Sequence, residues 1–78
     1  MYFHEILFYN GDENPPAYYL IDGIQANSPE DIIANKLSSI MRRVRETFGL
    51  GPEISDRKVR DSLYVLREGA LFPARETQ

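Results

Sequence analysis

Two segments near the start of this chain are apolar on both of their faces, and a sequence of 78 residues offers little else to cover them. Residues 2–9 and 17–26 are rich in aromatic and long aliphatic side chains, which favours β-strands. A strand with one face in water normally alternates apolar and polar residues, and neither segment does so. We therefore expect both faces of these strands to meet other protein groups.

The link between the two strands is short and polar. Residues 10–16 are all polar or turn-forming, begin with Asn10-Gly11 and include two consecutive prolines. Asn-Gly favours a tight reversal, and the prolines after it indicate a longer exposed loop. A link of this length predicts an antiparallel hairpin.

A long amphipathic helix is predicted to follow the hairpin. Ser28 can cap its start, Pro29 suits the first helical position, and Glu30 and Asp31 face the positive end of the helix dipole. A glycine at position 49 ends the pattern. The apolar stripe expected to pack on the hairpin consists of Ile33, Leu37, Ile40, Met41, Val44 and Phe48.

The rest of the chain has two interpretations. Ser55 resembles a second cap, and apolar residues then recur at spacings of four, three and four up to Ala70, which predicts a second helix. Alternatively, residues 62–67 and 70–72 form two short strands around Glu68-Gly69. We prefer the helix, because Glu-Gly is a weaker hairpin signal than Asn-Gly. The predicted fold is thus an α+β domain of order ββαα over residues 1–74, with a flexible tail at 75–78.

Composition limits the kind of protein. The chain has no cysteine and one histidine, so we expect no disulfide, no metal site, no cofactor and a cytoplasmic location. No apolar run approaches the ~20 residues that span a bilayer, so no membrane segment is expected. No catalytic motif is recognisable, and the prediction is a non-enzymatic interaction or adaptor module.

Charge is distributed unevenly along the chain and suggests an alternative function. Residues 1–35 contain six acids and no Lys or Arg, while residues 36–78 contain nine bases and six acids. Residues 46–66 have some likeness to a helix-turn-helix motif, which would make the protein a small DNA- or RNA-binding regulator. Its candidate nucleic-acid contacts are Arg42, Arg45, Arg57, Lys58 and Arg60.

We rank this alternative second for two reasons. The arginines of the first helix fan around its polar face instead of forming one ridge, and Asp56 and Asp61 bring negative charge to the second helix. The same basic residues can also be explained as solvated side chains whose charge complements the acidic first part of the chain.

The two-faced hairpin predicts self-association. Two helices can cover only one face of so narrow a sheet, and two strands alone are marginal in water. The other face would remain as an apolar contact surface, and we expect a homodimer formed through it. The residues assigned to this surface, depending on register, are Tyr2, His4, Phe8, Tyr19 and Ile21. For His4, packing is preferred over a catalytic role, because Glu5 points to the opposite face.

Overall fold

The hairpin predicted at the start of the chain forms half of a four-stranded antiparallel sheet. The structure is a computed structural model that describes residues 2–74. The strands lie in the order β2-β1-β3-β4, so β1 is a central strand and β2 and β4 are the edges. The elements are β1 Tyr2–Asn10, β2 Ala17–Ala26, α1 Pro29–Phe48, α2 Asp56–Asp61, β3 Leu63–Arg67 and β4 Ala70–Pro73.

The first hairpin has the predicted strands and one irregularity. β1 and β2 pair antiparallel from Asn10 opposite Ala17 to Tyr2 opposite Ala26. Leu7 lies opposite Leu20 and Ile6 opposite Asp22, so Ile21 is an extra residue in β2. This bulge lies one residue before the Asp22-Gly23 pair, where a local break in a strand is expected.

Helix α1 confirms the prediction of a capped amphipathic helix. The Ser28 hydroxyl accepts a hydrogen bond from the Asp31 backbone N–H at 3.3 Å, and Pro29 occupies the first turn. At the other end Gly49 has φ of 63°, the left-handed conformation that glycine adopts without a steric penalty. Of the predicted stripe, Ile40, Met41 and Val44 are buried, and the other members are partly buried against the core.

The second half of the predicted ββαα fold is wrong. The helix that begins after Ser55 is only six residues long and ends at Asp61. Residues 63–67 and 70–73 are strands joined by a two-residue turn, in which Glu68 and Gly69 have φ of 50° and 80°. Positive φ at both positions is the geometry of a tight hairpin turn. The strand interpretation that we ranked second is therefore the correct one.

Strand pairing explains this outcome. β3 lies beside β1, with Ile6 opposite Val65 and Leu7 opposite Tyr64, and so occupies the edge of β1 that the first hairpin leaves open. Spacings of three and four are compatible with a helix, but the run Leu-Tyr-Val-Leu also places alternate residues on opposite sides of a strand. Backbone hydrogen bonds with β1, which lies more than 50 residues earlier in the chain, favour the strand over the helix.

Both helices pack on the same face of the sheet, and the core lies between the two layers. Val59 of α2 is buried against it beside α1. The buried hydrophobic residues are Ile6, Phe8, Ile32, Ile40, Met41, Val44, Val59, Leu63, Val65 and Ala74. The tail predicted at 75–78 lies outside the described residues.

Candidate interaction surface

The face of the sheet that points away from the helices is open and largely apolar. Strand geometry places successive side chains on opposite faces, and Ile6, Phe8, Leu63 and Val65 fill the covered one. The alternate positions therefore form a surface that we call the open face. Its apolar members are Phe3, Leu7, Tyr9, Tyr18, Leu20, Tyr64, Leu66 and Leu71.

Several of these side chains expose about half of their surface or more. Phe3 is 60% and Leu20 61% exposed, and Tyr18 and Leu71 are also exposed. Isolated exposed apolar residues are normal on a protein surface. A contiguous apolar set across four strands is less usual, which makes this face a candidate contact surface.

Three tyrosines form the end of the open face nearest the hairpin loop. The ring centroids of Tyr9 and Tyr18 are 4.8 Å apart, and those of Tyr18 and Tyr64 are 5.8 Å apart in an edge-on arrangement. Such aromatic pairs stabilise one another by about 0.5–1.5 kcal/mol beyond the area that they bury. These contacts hold the three rings beside one another.

The opposite end of the open face is shaped by a glycine. A Cβ added at Gly23 would collide with the ring of Phe3. The absent side chain lets the Phe3 ring lie across β2, so the ring covers backbone at this point. A larger residue at position 23 would therefore displace the Phe3 ring.

The open face carries little charge within the described strands. Glu5 is its one ionisable residue with a formal charge at neutral pH, and no Lys or Arg lies at an outward position of β1–β4. Gln25 adds a polar group beside Phe3 at the rim. Apolar groups therefore dominate the open face, and formal charge contributes little to it.

The five residues predicted to form the contact surface lie elsewhere. His4 and Phe8 are buried beneath the helices, while Tyr19 and Ile21 are partly buried against the core. Tyr2 is exposed, and its ring lies 4.0 Å from the guanidinium of Arg67. The structure thus brings these residues together on the helix-covered side, and the apolar surface that stays open is the opposite one.

A sequence signal for the side of the sheet that the helices leave uncovered was present in β1. Glu5 belongs to the set of alternate residues that includes Phe3, Leu7 and Tyr9, whereas His4 belongs to the other set. A carboxylate is far more costly to bury than a neutral imidazole. The face that carries Glu5 was therefore the better choice for the face in contact with solvent or a partner.

His4 is completely buried, as expected for a packing role. Neither of its ring nitrogens forms a hydrogen bond with any residue from 2 to 74. Within the described part of the chain, no three His, Cys, Asp or Glu residues are grouped closely enough to hold a metal ion. The described helices include none that is long and apolar enough to cross a membrane.

The basic residues proposed as nucleic-acid contacts have diverse surroundings. Arg45 donates to the carbonyl oxygens of Gly51 at 3.1 Å and Ile54 at 2.7 Å, so it holds the connection after α1 in place. It also forms a 2.8 Å ion pair with Asp56. Arg45 therefore has a structural role in this fold.

The remaining candidates lie around α1 and α2. Lys58 lies 3.9 Å from a carboxylate oxygen of Asp12 in the hairpin loop. Arg42 and Arg57 are exposed, and Arg60 is half-buried. The recognition helix that would present Arg57, Lys58 and Arg60 is short, because the chain continues as β3 after Asp61.

Opposite charges from the two halves of the chain do meet. Arg43 of α1 contacts Asp22 of β2 at 3.0 Å, and both side chains are largely exposed. Exposed pairs of this kind contribute about 0–1 kcal/mol. They help to orient the helix on the sheet but do not account for its stability.

One tyrosine of β2 is perturbed by a residue of the hairpin loop. The Tyr19 hydroxyl donates a hydrogen bond to the Glu13 carboxylate, and its ring packs edge-on against Phe48 with 5.1 Å between centroids. The hydrogen bond to Glu13 raises the pKa of Tyr19, with smaller contributions from desolvation and from the negative charge of Glu13. Tyr19 thus joins the loop to the helix-covered face.

Comparison with family models, curated protein sequences and solved structures finds no match to this chain.

Proposed function

We propose that this protein is a non-enzymatic interaction module whose working surface is the open face, and that its partner is a second copy of the chain. The observation that carries the proposal is the continuous apolar surface across four strands, with Phe3 and Leu20 each about 60% exposed. The two sheets would pack face to face about a twofold axis, since a twofold contact uses the same surface on both copies. The absence of cysteine agrees with the cytoplasmic location that we include in the proposal.

Low charge supports a second copy as the partner. A surface with several charges of one sign would repel its own copy, whereas the open face carries only Glu5. Its apolar side chains complement one another without a specific charge pattern. Packed sheets lie about 10 Å apart, which suits the interdigitation of Leu, Phe and Tyr side chains from two such faces.

The area of the open face predicts a modest affinity. Strands of 9, 10, 5 and 4 residues, at about 3.3 Å per residue and about 4.8 Å apart, outline about 450 Å² before the relief of the side chains is counted. A standard interface buries about 800 Å² on each partner. We therefore expect a dimer with a dissociation constant in the micromolar range.

The sheet edges are poorer contact sites than the open face. β2 is interrupted by its bulge at Ile21, and Asp22 next to it is engaged by Arg43. β4 is only four residues long and ends with Pro73, which has no backbone N–H to donate. Bulges, prolines and short strands are the usual means by which edge-to-edge pairing is prevented.

Formation of β3 changes the argument for dimerisation without removing it. The sequence argument assumed a sheet of two strands, which would be marginal alone. Because β3 and β4 complete the sheet, a partner is not needed to supply further strands. The reason for association that remains is coverage of the open face.

Sedimentation over a concentration series tests the proposal. We expect the 9.0 kDa chain to pass from monomer to dimer between about 5 and about 500 µM. Leu20→Arg, which places a charge at one of the most exposed apolar positions of the open face, should leave a monomer throughout. Glu5→Gln should tighten the dimer, because it removes the carboxylate that association would desolvate.

A matched control separates this effect from a general effect of charge. Thr47 is exposed on α1, and Thr47→Arg adds the same positive charge on the helix side of the molecule. This variant should associate like the parent chain. A parent that stays monomeric at the highest concentration, or equal losses in both arginine variants, would contradict the proposal.

Binding of single-stranded nucleic acid is the second candidate, and one observation favours it. The open face presents Phe3 and three neighbouring tyrosines, and sheet-borne aromatic rings can stack on unpaired bases. Such platforms combine stacking with positive charge along the phosphate backbone, and no outward position of the described strands carries a Lys or Arg. RNA binding that Tyr18→Ala abolishes would place this candidate first.

A further inference from the structure

A basic cleft lies between α1 and α2, on the side of the molecule away from the open face. It has a volume of about 280 Å³. The residues that line it come from both helices and are Ser38, Met41, Arg42, Arg45, Asp56 and Arg60. Three of these six side chains are guanidinium groups, and the buried Met41 contributes an apolar wall.

The charges in this cleft are not balanced by the protein. Asp56 is its one acidic residue, and Arg45 already engages that carboxylate at 2.8 Å. Neither Arg42 nor Arg60 forms an ion pair or a side-chain hydrogen bond with another residue between 2 and 74. The formal charge of the lining is therefore +2.

Arg60 provides the most specific observation. Its Nε atom is shielded from solvent and has no hydrogen-bond partner among the described residues. A buried donor on a charged group costs free energy when it is left unpaired, so the protein alone does not satisfy this guanidinium group. The side chain as a whole is only half-buried, so an anion can reach its other nitrogens from solvent.

We propose that this cleft binds a phosphate group, either as the free ion or as the end of a small phosphomonoester. Arg42 and Arg60 would donate charge-assisted hydrogen bonds to its oxygens, and the Ser38 hydroxyl would add a neutral donor. A phosphate monoester carries a charge of about −1.5 to −2 at neutral pH, which matches the lining. The volume leaves room beyond the phosphate for part of an attached group.

The shape of the cleft favours a single phosphate over a nucleic-acid backbone. Backbone binding needs basic groups spread along a track, with several phosphates neutralised in turn. Here the unpaired guanidinium groups converge on one concavity, while Arg43 and Lys58 are paired with acids elsewhere. The site is also separate from the open face, so it does not depend on dimer formation.

Calorimetric titration of the full chain with inorganic phosphate tests the proposal, with ionic strength held constant by chloride. Measurable binding is expected, and Arg60→Gln should weaken it about tenfold or more, as should Arg42→Gln. Arg57→Gln is the matched control, because Arg57 lies on the same helix but does not line the cleft. The phosphate affinity of the Arg57→Gln variant should stay within about twofold of that of the parent chain.

A parallel titration with phenyl phosphate distinguishes the two sources of the group. Tighter binding than inorganic phosphate would assign the cleft to a phosphomonoester, and equal or weaker binding would assign it to the free ion. Because Arg42 is exposed, Arg42→Gln tests the site even if Arg60→Gln fails to fold. No binding of either probe, or an equal loss in Arg57→Gln, would overturn the proposal.

Discussion

The two faces of the sheet are built from the same strands, yet they differ in what covers them. On the covered face Ile6 is 1% exposed, and on the open face Leu20 is 61% exposed. Both faces are mainly aliphatic and aromatic, so apolar content does not tell them apart. What differs is the polar residue of β1 on each side, His4 beneath the helices and Glu5 on the open face.

This difference shows how one charged residue can orient a strand that is apolar on both sides. Imidazole can be buried in its neutral form, whereas a carboxylate must lose its charge or find a partner. A strand with Glu5 inward would place that cost in the core of a small domain. Folding with His4 inward avoids it, and leaves Phe3, Leu7 and Tyr9 on the exposed side.

The largest expected effect is the difference in the free energy of unfolding when one aliphatic residue on each face is truncated. Ile6→Ala should lower the free energy of unfolding by about 2–5 kcal/mol, because it opens a cavity in the core. Leu20→Ala should change it by less than about 0.5 kcal/mol when the chain is dilute. Urea denaturation at low micromolar concentration measures both values.

Repeating these denaturation measurements at high protein concentration tests whether a second copy covers the open face. If a second copy covers the open face, Leu20→Ala becomes more costly as the concentration rises, because the dimer stabilises the folded state. The Ile6→Ala loss should depend much less on concentration. Equal losses for the two variants in dilute solution would show that the two faces are covered alike.

A smaller effect is expected at the polar residue of the covered face. His4→Leu should raise the free energy of unfolding by up to about 1 kcal/mol, because it removes two ring nitrogens that have no partner among the described residues. His4→Gln keeps polar atoms at the same site and should be destabilising. Thermal or urea denaturation of both variants distinguishes these outcomes. A loss above about 1 kcal/mol for His4→Leu would instead show that the imidazole is hydrogen-bonded.

The smallest effect concerns the rim of the covered face, where Tyr19 donates to Glu13. Because this hydrogen bond requires the protonated hydroxyl, Tyr19 titrates above its ordinary value of 10.0. The stabilising contribution is complete below that value and disappears as the pH rises through the raised pKa. Glu13→Gln should move the Tyr19 pKa back towards the ordinary value, as followed by NMR titration of the tyrosine rings. An unchanged pKa would mean that Glu13 does not accept the bond.

The first hairpin and helix α1 could be predicted from the sequence alone, because their turn and capping residues lie next to them in the chain. The polar link at residues 10–16 predicted the first hairpin, and Ser28, the apolar stripe and Gly49 defined α1 at both ends. Each of these signals lies within a single element or the link between two neighbouring ones. Capping, dipole and turn preferences operate at that range, so they can be recognised without knowledge of the fold.

The second hairpin and the side of the sheet that stays open depended on contacts between distant parts of the chain. Leu63–Arg67 has helical spacing, but β1 offered an unpaired edge, and pairing there satisfies backbone groups along both strands. Glu68 at φ of 50° gave little warning of the turn, because a non-glycine residue rarely adopts that conformation. The helices then covered the side of β1 that carries His4, and this choice left Phe3 and Leu20 exposed. The pairing of β3 with β1 and the packing of the helices on one side of the sheet both join residues that are far apart in the chain, so the spacing within one segment does not reveal them.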